Sequence, residues 1–532
     1  MTVLRLYLNE FILCALLGMP LYIIILVFYR LALHPLAKYP GPVLARITNW
    51  YSAFYVWKGD MHLKLFEMHQ KYGETVRFGP NSISVNSRSA MAGIYGVRAN
   101  VRKADSYAVM SASSRTVNTI SSRDKKAHAF KRRILAQVFS DQALKGVEER
   151  ILGHIRHFCR ELSGNGLVPH SELQGPKDEW GSVLDMAAFC DYLAFDIISS
   201  LCYGESFNML GSSGLRHLPN IVSAISRRNA ICFVQPIVWR ARLDHLFLAS
   251  LSARVKAFSA WVREKAERRT QLGSSITQKD CFHYMLNAED PETGKGFSDK
   301  ELWCESLQLI IAGSDTTAVA LSAVFFHLLH NPKILARLTQ EVRSTFSNDE
   351  DIRSGQRLNS CTYLRACIQE ALRRAPPVTG LAPRQVLPGG ITVGSNRFPE
   401  GTIIGTPIYT IHHNRAYFPE PFVYKPERWI VDLDHGWTKE SVDLARSAFS
   451  PFSIGPRSCI AKNMAWMELT ITVARTLYLY DMKLDPRHSH GKSDGCVGCP
   501  GKPDTFEYRL KGWMTSGREG PLVQFKPVRV MN

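Results

Sequence analysis

Residues 298 to 331 limit what this chain can fold into more than any other stretch. Ser298-Asp299-Lys300-Glu301 is a capping box, with Ser at the N-cap and Glu three residues on. The sequence then stays apolar almost all round until Asn331-Pro332 stops it. As a helix it would span roughly 50 Å, enough to cross a whole domain. A helix that is apolar on every face has to be buried. The rest of the chain must wrap around it, and 532 residues can bury a core of that size.

One point in this helix breaks several local rules at once. Ala312-Gly313-Ser314-Asp315-Thr316-Thr317 puts a glycine, an acid and two β-branched alcohols in mid-helix. Glycine there costs about 1 kcal/mol against alanine, and Asp and Thr are poor helix formers. A buried acid is expensive unless paired. Such a cluster in an otherwise well-specified helix predicts a functional distortion.

The second constraint is a loop, Phe452-Ser453-Ile454-Gly455-Pro456-Arg457-Ser458-Cys459-Ile460-Ala461, followed by a helical stretch to about Tyr480. A thiolate at a helix N-terminus is favoured by the dipole and the free N–H groups. It could serve as a nucleophile, a redox sensor or a metal ligand. Gly455 permits a tight turn close to a flat partner. Arg457 adds a permanent cation and Phe452 an apolar wall.

Other patterns place the remaining polar residues. Glu370 and Arg373 share a helix face and can pair, and Pro376-Pro377 ends that helix. Arg428 follows in Pro426-Glu427-Arg428-Trp429. A helix starting near Asp124 carries His128 and Arg132 on one face, beside Lys125, Lys126, Lys131 and Arg133, which read as a solvated basic face. Thr75–Phe78 and Ile83–Val85 flank a turn and predict a hairpin. Residues 101 to 127 read as a loop, 145 to 290 as several helices, and 391–393 and 402–406 as short strands. His488, His490, Cys496 and Cys499 offer four zinc-type ligands, but a second CxxC is lacking and the surroundings read as an exposed insertion.

Phe11 to Tyr29 is an uncharged apolar run long enough for one membrane span. The basic residues after it place the bulk of the chain on the cytoplasmic side. A proline-rich stretch, His34 to Pro42, reads as a stiff linker. The net charge of +18 is scattered, without a basic arm, and suits an anionic membrane surface or an acidic protein better than nucleic acid. The twelve cysteines show no disulfide framework, as in a reducing compartment.

The motifs occur in one order: the acid-alcohol helix, Glu-x-x-Arg, Pro-Glu-Arg, and Phe-x-x-Gly-x-Arg-x-Cys. Together they resemble the cytochrome P450 superfamily, specifically its microsomal, fungal-type monooxygenases. The resemblance covers residues 35 to 532. It implies a mainly α fold with a small β region near 75–90 and 378–410. It also implies a division into an anchor (1–30), a proline-rich hinge (31–45) and a catalytic domain (46–532). The cofactor implied is haem b, with Cys459 as axial ligand of the iron and with Arg457 and Phe452 beside it. Arg132, Arg384 and His128 would lie at the propionates, although the family usually has Trp where His128 stands. Gly313 would open room for dioxygen, with Asp315 feeding protons and Thr316 hydrogen-bonding in the site. Glu370, Arg373 and Arg428 would lock the core on the cofactor-loop side.

The chain has no flavin or nicotinamide motif, so the resemblance implies NADPH–cytochrome P450 reductase as electron donor. Lys462 and Arg133 are candidates for docking it. The substrate implied is a lipophilic small molecule of secondary metabolism, faced by residues 378 to 382 and covered by 219 to 239. The location implied is the endoplasmic reticulum membrane. Competing readings are a haem-thiolate isomerase or dehydratase that uses no dioxygen, and a membrane-anchored binding protein without haem. One departure from the family stands out: Ala461 replaces the usual Gly two residues after the cysteine, which predicts a slight shift of the following helix with ligation kept.

Overall fold

The computed structural model describes residues 18–111, 116–163, 180–247, 249–273, 279–289, 294–485 and 507–528. In chain order its principal helices are α1 (Gly18–Leu33), α2 (Trp50–Lys58), α3 (Met61–Tyr72), α4 (Arg88–Tyr95), α5 (Lys125–Val138), α6 (Asp141–Leu162), α7 (Met186–Tyr203), α8 (Leu218–Val234), α9 (Asp299–Leu329), α10 (Thr362–Arg374) and α11 (Lys462–Leu479). Strands β1 (Thr75–Gly79), β2 (Ser82–Val85), β3 (Val101–Lys103), β4 (Arg384–Val386) and β5 (Ile403–Gly405) form one sheet in the order β1-β2-β5-β4-β3. Near the C-terminus lie β6 (Tyr480–Leu484), the tight hairpin β7 (Lys511–Gly512) and β8 (Ser516–Gly517), and β9 (Leu522–Pro527); further short strands lie at Leu184–Asp185, Ile391–Val393 and Asn396–Phe398.

The central helix forms as its sequence dictates. Ser298 and Glu301 close the capping box reciprocally, and the Ser298 N–H donates to Glu301 Oε2 at 3.1 Å. From Ala318 to Leu328 every residue of α9 is buried. Its widest packing is against α7, itself buried from Leu193 to Tyr203. Gly313 permits that approach, because a Cβ there would meet Ile198 Cγ1 on α7 at 2.7 Å. The predicted distortion is absent as a break: α9 stays helical through Thr317. The alcohols stay within the helix by bonding back one turn, Ser314 to Ile310 O and Thr316 to Ala312 O, both at 2.7 Å.

The predicted hairpin is β1–β2, paired antiparallel from Thr75↔Val85. Asp124 caps α5, its carboxylate accepting from the Ala127 N–H at 2.7 Å. Lys131 does not lie on a solvated face. It is buried and pairs with Glu301 at 3.0 Å and Glu305 at 3.3 Å on α9.

Helix α1 exposes Leu21, Ile23, Ile24, Ile25 and Phe28, an apolar surface compatible with a single N-terminal anchor. Helices α7 and α9 are also apolar enough to cross a membrane, but they are mostly buried in the body. The proline-rich stretch is not a free linker. Leu36 and Tyr39 are buried in a core cluster with the sheet, and the buried Arg77 donates to Arg30 O at 2.8 Å. The His488, His490, Cys496 and Cys499 quartet lies outside the described residues.

Candidate active site

The cysteine loop is shaped by two backbone demands. Gly455 has φ +74°, and a Cβ there would meet the Tyr95 carbonyl oxygen at 2.0 Å. Only glycine fits. The close partner of that turn is therefore the end of α4. The Cys459 N–H then donates to Phe452 O at 2.8 Å, closing the loop, while the Phe452 ring packs on Trp466 of α11. Among the described free cysteines, Cys459 is exposed and the other eight are buried. Yet protein encloses it enough that burial pushes its thiol up, with the Ala461 N–H, Arg132 and Lys462 pulling the other way. Both hold if the sulfur opens on an internal cleft and not on the outer surface. The helix terminus alone does not make the expected thiolate. A bound cation would.

Basic groups crowd beside the cysteine. Arg132 donates to Ser458 O at 2.7 Å, next to Cys459. Arg457 donates to the Ser122 carbonyl, and Arg384 to Ala382 O at 3.2 Å and Pro383 O at 3.3 Å. Lys103, on β3, donates to the Ile120 carbonyl and is buried. None of the four forms an ion pair with a described residue. Burial, then Arg457, Arg384 and Arg132, drives Lys103 well down. Burial, then Arg384, lowers Arg457 to about 10. Burial and the same cations hold His128 at about 3, so it is a neutral imidazole with an N–H to donate. Converging cations without a counter-charge, two of them buried (Lys103 and Arg384) and two half-buried, are costly. A flat group carrying two carboxylates offsets that cost, and haem b, with its two propionates, fits the ring and the open sulfur together.

On α9, Asp315 is buried and held by the C-terminal hairpin. The Thr515 hydroxyl donates to its Oδ2, and Arg518 Nη1 lies 3.4 Å from its Oδ1. Thr515 also meets Ser226 of α8, Oγ to Oγ1 at 2.9 Å, so α8 is tied to the acid. Leu309, Ala312 and Thr316 are only partly buried and recur every three or four residues, on one side of α9. Next along, Thr317 hydrogen-bonds Glu468, a fully buried carboxyl on α11 that burial raises to about 8.

Behind the loop, Glu370 accepts five hydrogen bonds. They come from Arg373 Nε and Nη2 at 2.9 and 2.8 Å, Arg428 Nε at 3.1 Å, the Lys425 N–H at 3.0 Å and Trp429 Nε1 at 3.1 Å. Arg373 reaches His412 O at 2.8 Å, and His412 Nε2 accepts the Ser450 N–H at 3.0 Å where the cysteine loop begins.

Comparison with known proteins decides the family. The family model described as Cytochrome P450 matches residues 40–507. The chain is a cytochrome P450. It is 37% identical to the cytochrome P450 monooxygenase AKT7 of Alternaria alternata over 508 residues, 95% of each chain. It is 38% identical to the cytochrome P450 monooxygenase poxM of Penicillium oxalicum over 509 residues, 96% of this chain and 93% of that one. The cytochrome P450 monooxygenase apf7 of Gibberella fujikuroi is also 38% identical, over 526 residues, 94% of this chain and 96% of its own. This P450 is accordingly a monooxygenase with a cysteine-ligated haem.

At Gly313 the space a side chain would need is filled by Ile198, so the packing of α9 on α7 by itself calls for glycine here. Ala461, at the N-cap of α11, has φ −93° and ψ 22°, a conformation open to any residue, so nothing in the backbone calls for the family's glycine. Lys103 was missed as a member of this basic group because a lone lysine in a short strand carries no sequence signal. Arg518 and Thr515 were missed because their partner Asp315 lies some two hundred residues away.

Proposed function

We propose that this P450 inserts one oxygen atom of dioxygen into a lipophilic small molecule, or oxidatively couples or cyclises it, in secondary-metabolite biosynthesis. The observation that carries the substrate class is the apolar roof. Val109, Cys232 and Val238 are buried in one cluster with Met110, Ile231, Phe233 and Trp239 against it. Leu381, Trp513 and Met514 pack with α8 residues in the next. The enzyme sits at the endoplasmic reticulum membrane through α1, with the catalytic domain (46–532) in the cytoplasm.

When bound, haem b supplies a thiolate-ligated iron at which dioxygen is activated. The chain does the rest. Cys459 is the ligand and Phe452 shields it. Arg132, Arg384, Arg457, Lys103 and neutral His128 bind the propionates. The roof excludes water from the substrate. Asp315 holds a proton at its carboxyl and passes it inward, and the Thr316 hydroxyl orients the acceptor of that proton.

The test is Thr316→Val. With the reduced-CO spectrum kept, product per NADPH consumed is expected to fall by about 10- to 100-fold, with hydrogen peroxide released instead. Product from the parent enzyme under ¹⁸O₂ carries the label if the reaction is an insertion. Full coupling in the variant would remove Thr316 from its role. The relatives' names favour this reading over an isomerase or dehydratase, which would turn over without NADPH.

Electrons come from NADPH–cytochrome P450 reductase. Arg133 and Lys462 are both exposed and offer an acidic partner a docking charge. Arg133→Glu with Lys462→Glu is expected to raise the KM for reductase several-fold and to leave substrate-binding spectra unchanged. An unchanged KM would exclude these two as docking residues.

A further inference from the structure

Arg518 is shared between two acids from two different helices. Its Nη2 lies 2.6 Å from Asp191 Oδ1 on α7. Its Nη1 lies 3.4 Å from Asp315 Oδ1 on α9, the looser of the two contacts. Its Nε donates to Ser322 Oγ at 3.3 Å, which fixes the plane of the guanidinium. The Arg518 side chain is 5% exposed, Asp315 11% and Asp191 14%, so all three are largely withdrawn from water.

Among the described residues, the other groups around the pair add no second cation. Asp185, at the N-cap of α7, faces Asp191, and Tyr508 faces Arg518. Cys190 and Tyr192 flank Asp191 in the chain, and Arg216 is engaged over the Tyr192 ring at 4.6 Å. Thr515 is the remaining side-chain partner of Asp315. One guanidinium facing two carboxyls, with a third nearby, leaves the cluster short of positive charge.

We propose that Asp191 is a positioning residue for the reaction: by holding Arg518 to itself it keeps Asp315 loosely paired and able to take up and release a proton. The reasoning is geometric. An arginine free to give both terminal nitrogens to Asp315 would pin it as a carboxylate, a poor proton donor. With Asp191 in place, Asp315 receives one long contact and one alcohol. Burial, together with Asp315 and Asp185, raises Asp191 to about 6 against the pull of Arg518, and burial raises Asp315 as well. Asp191 is thus the member of the pair that can exchange a proton near neutral pH. Asp315 then gives its O–H proton inward, keeps the electron pair, and is reprotonated from the Asp191 side. This rests on the reading of Asp315 as the proton donor.

The test uses the purified haem-loaded enzyme with Asp191→Asn, Asp191→Glu and Asp315→Asn, each checked for an unchanged reduced-CO spectrum. Infrared difference titration of the resting enzyme reads the carboxyl band that disappears in Asp315→Asn. In Asp191→Asn its midpoint should move down by about one pH unit or more. The alkaline limb of the pH profile for coupled product formation should move with it, so that product per NADPH falls about tenfold above that limb. Asp191→Glu should restore both. A merely structural Asp191 would lower the melting temperature and leave band and limb in place, and that result overturns the proposal. Full coupling in Asp315→Asn overturns the reading of Asp315 itself. Loss of coupling in Asp315→Asn with no effect of Asp191→Asn leaves that reading intact and removes only Asp191.

Discussion

Cys459→Ala protein is expected to fold, to lose the strongly red-shifted Soret band of the reduced-CO complex, and to lose turnover to the detection limit. The haem-free fold should tolerate the change. The residue is exposed, and its side chain's main tie is the Ala461 N–H, one hydrogen bond worth about 1 kcal/mol. The backbone bond from Cys459 N–H to Phe452 O, which closes the loop, survives the substitution. No described thiol can take over. The other described cysteines are buried, and burial pushes Cys159 and Cys190 up to about 12 and Cys232 to about 11. A red-shifted band in the variant would mean a different ligand, whereas its absence from the parent would point to a binding protein without haem. The stability given by ligation is folding free energy, so the variant's melting temperature should stop responding to added haem.

The residues that could be read from sequence are those whose signals are local. A capping box, a proline stop and continuous apolarity specify α9 within one stretch, and the loop glycine, arginine and cysteine fall within five residues. Glu370 and Arg373 lie one helical turn apart, so their pairing could be drawn from spacing alone. The contacts that could not be read join distant segments. Glu468 on α11 meets Thr317 on α9, and Lys131 meets Glu301 and Glu305. Each looks in sequence like an ordinary charged helix residue, and only packing takes it out of water. The same limit explains the proline-rich stretch. Prolines declare stiffness, but the burial of Leu36 and Tyr39 is decided by the sheet they land on. At Gly313 a mid-helix glycine stands out in the sequence, but the neighbour packed against it, Ile198, is set by how α7 crosses α9.

Glu370→Ala is expected to be the most damaging single change in the core. It removes the acceptor of five hydrogen bonds and leaves the Arg373 and Arg428 guanidiniums buried together. Breaking a buried pair from one side costs about 3–5 kcal/mol, and here two cations lose their partner. Against a total stability of about 5–15 kcal/mol, the variant should be largely unfolded at 37 °C and yield little holoenzyme. Arg428→Ala should be milder, because Arg373 still neutralises the carboxylate through two bonds. The pH dependence has a definite sign. Burial works to raise Glu370, but Arg373 and Arg428 overcome it and hold the carboxyl below its ordinary value. A depressed carboxyl stabilises fully above its unfolded value and loses that contribution as pH falls toward the folded one. Thermal melts of the parent should therefore be flat with respect to this group above about pH 4.5 and fall below it, and those of any folded Glu370→Gln protein should lack that component. The damage should reach the haem loop directly, since Arg373 holds His412 O and the His412 ring receives the Ser450 N–H. Haem loss from Arg373→Lys should thus outpace the loss of helix signal on heating. Loss of both at one temperature would mean that the triad supports the fold as a whole and not the loop in particular.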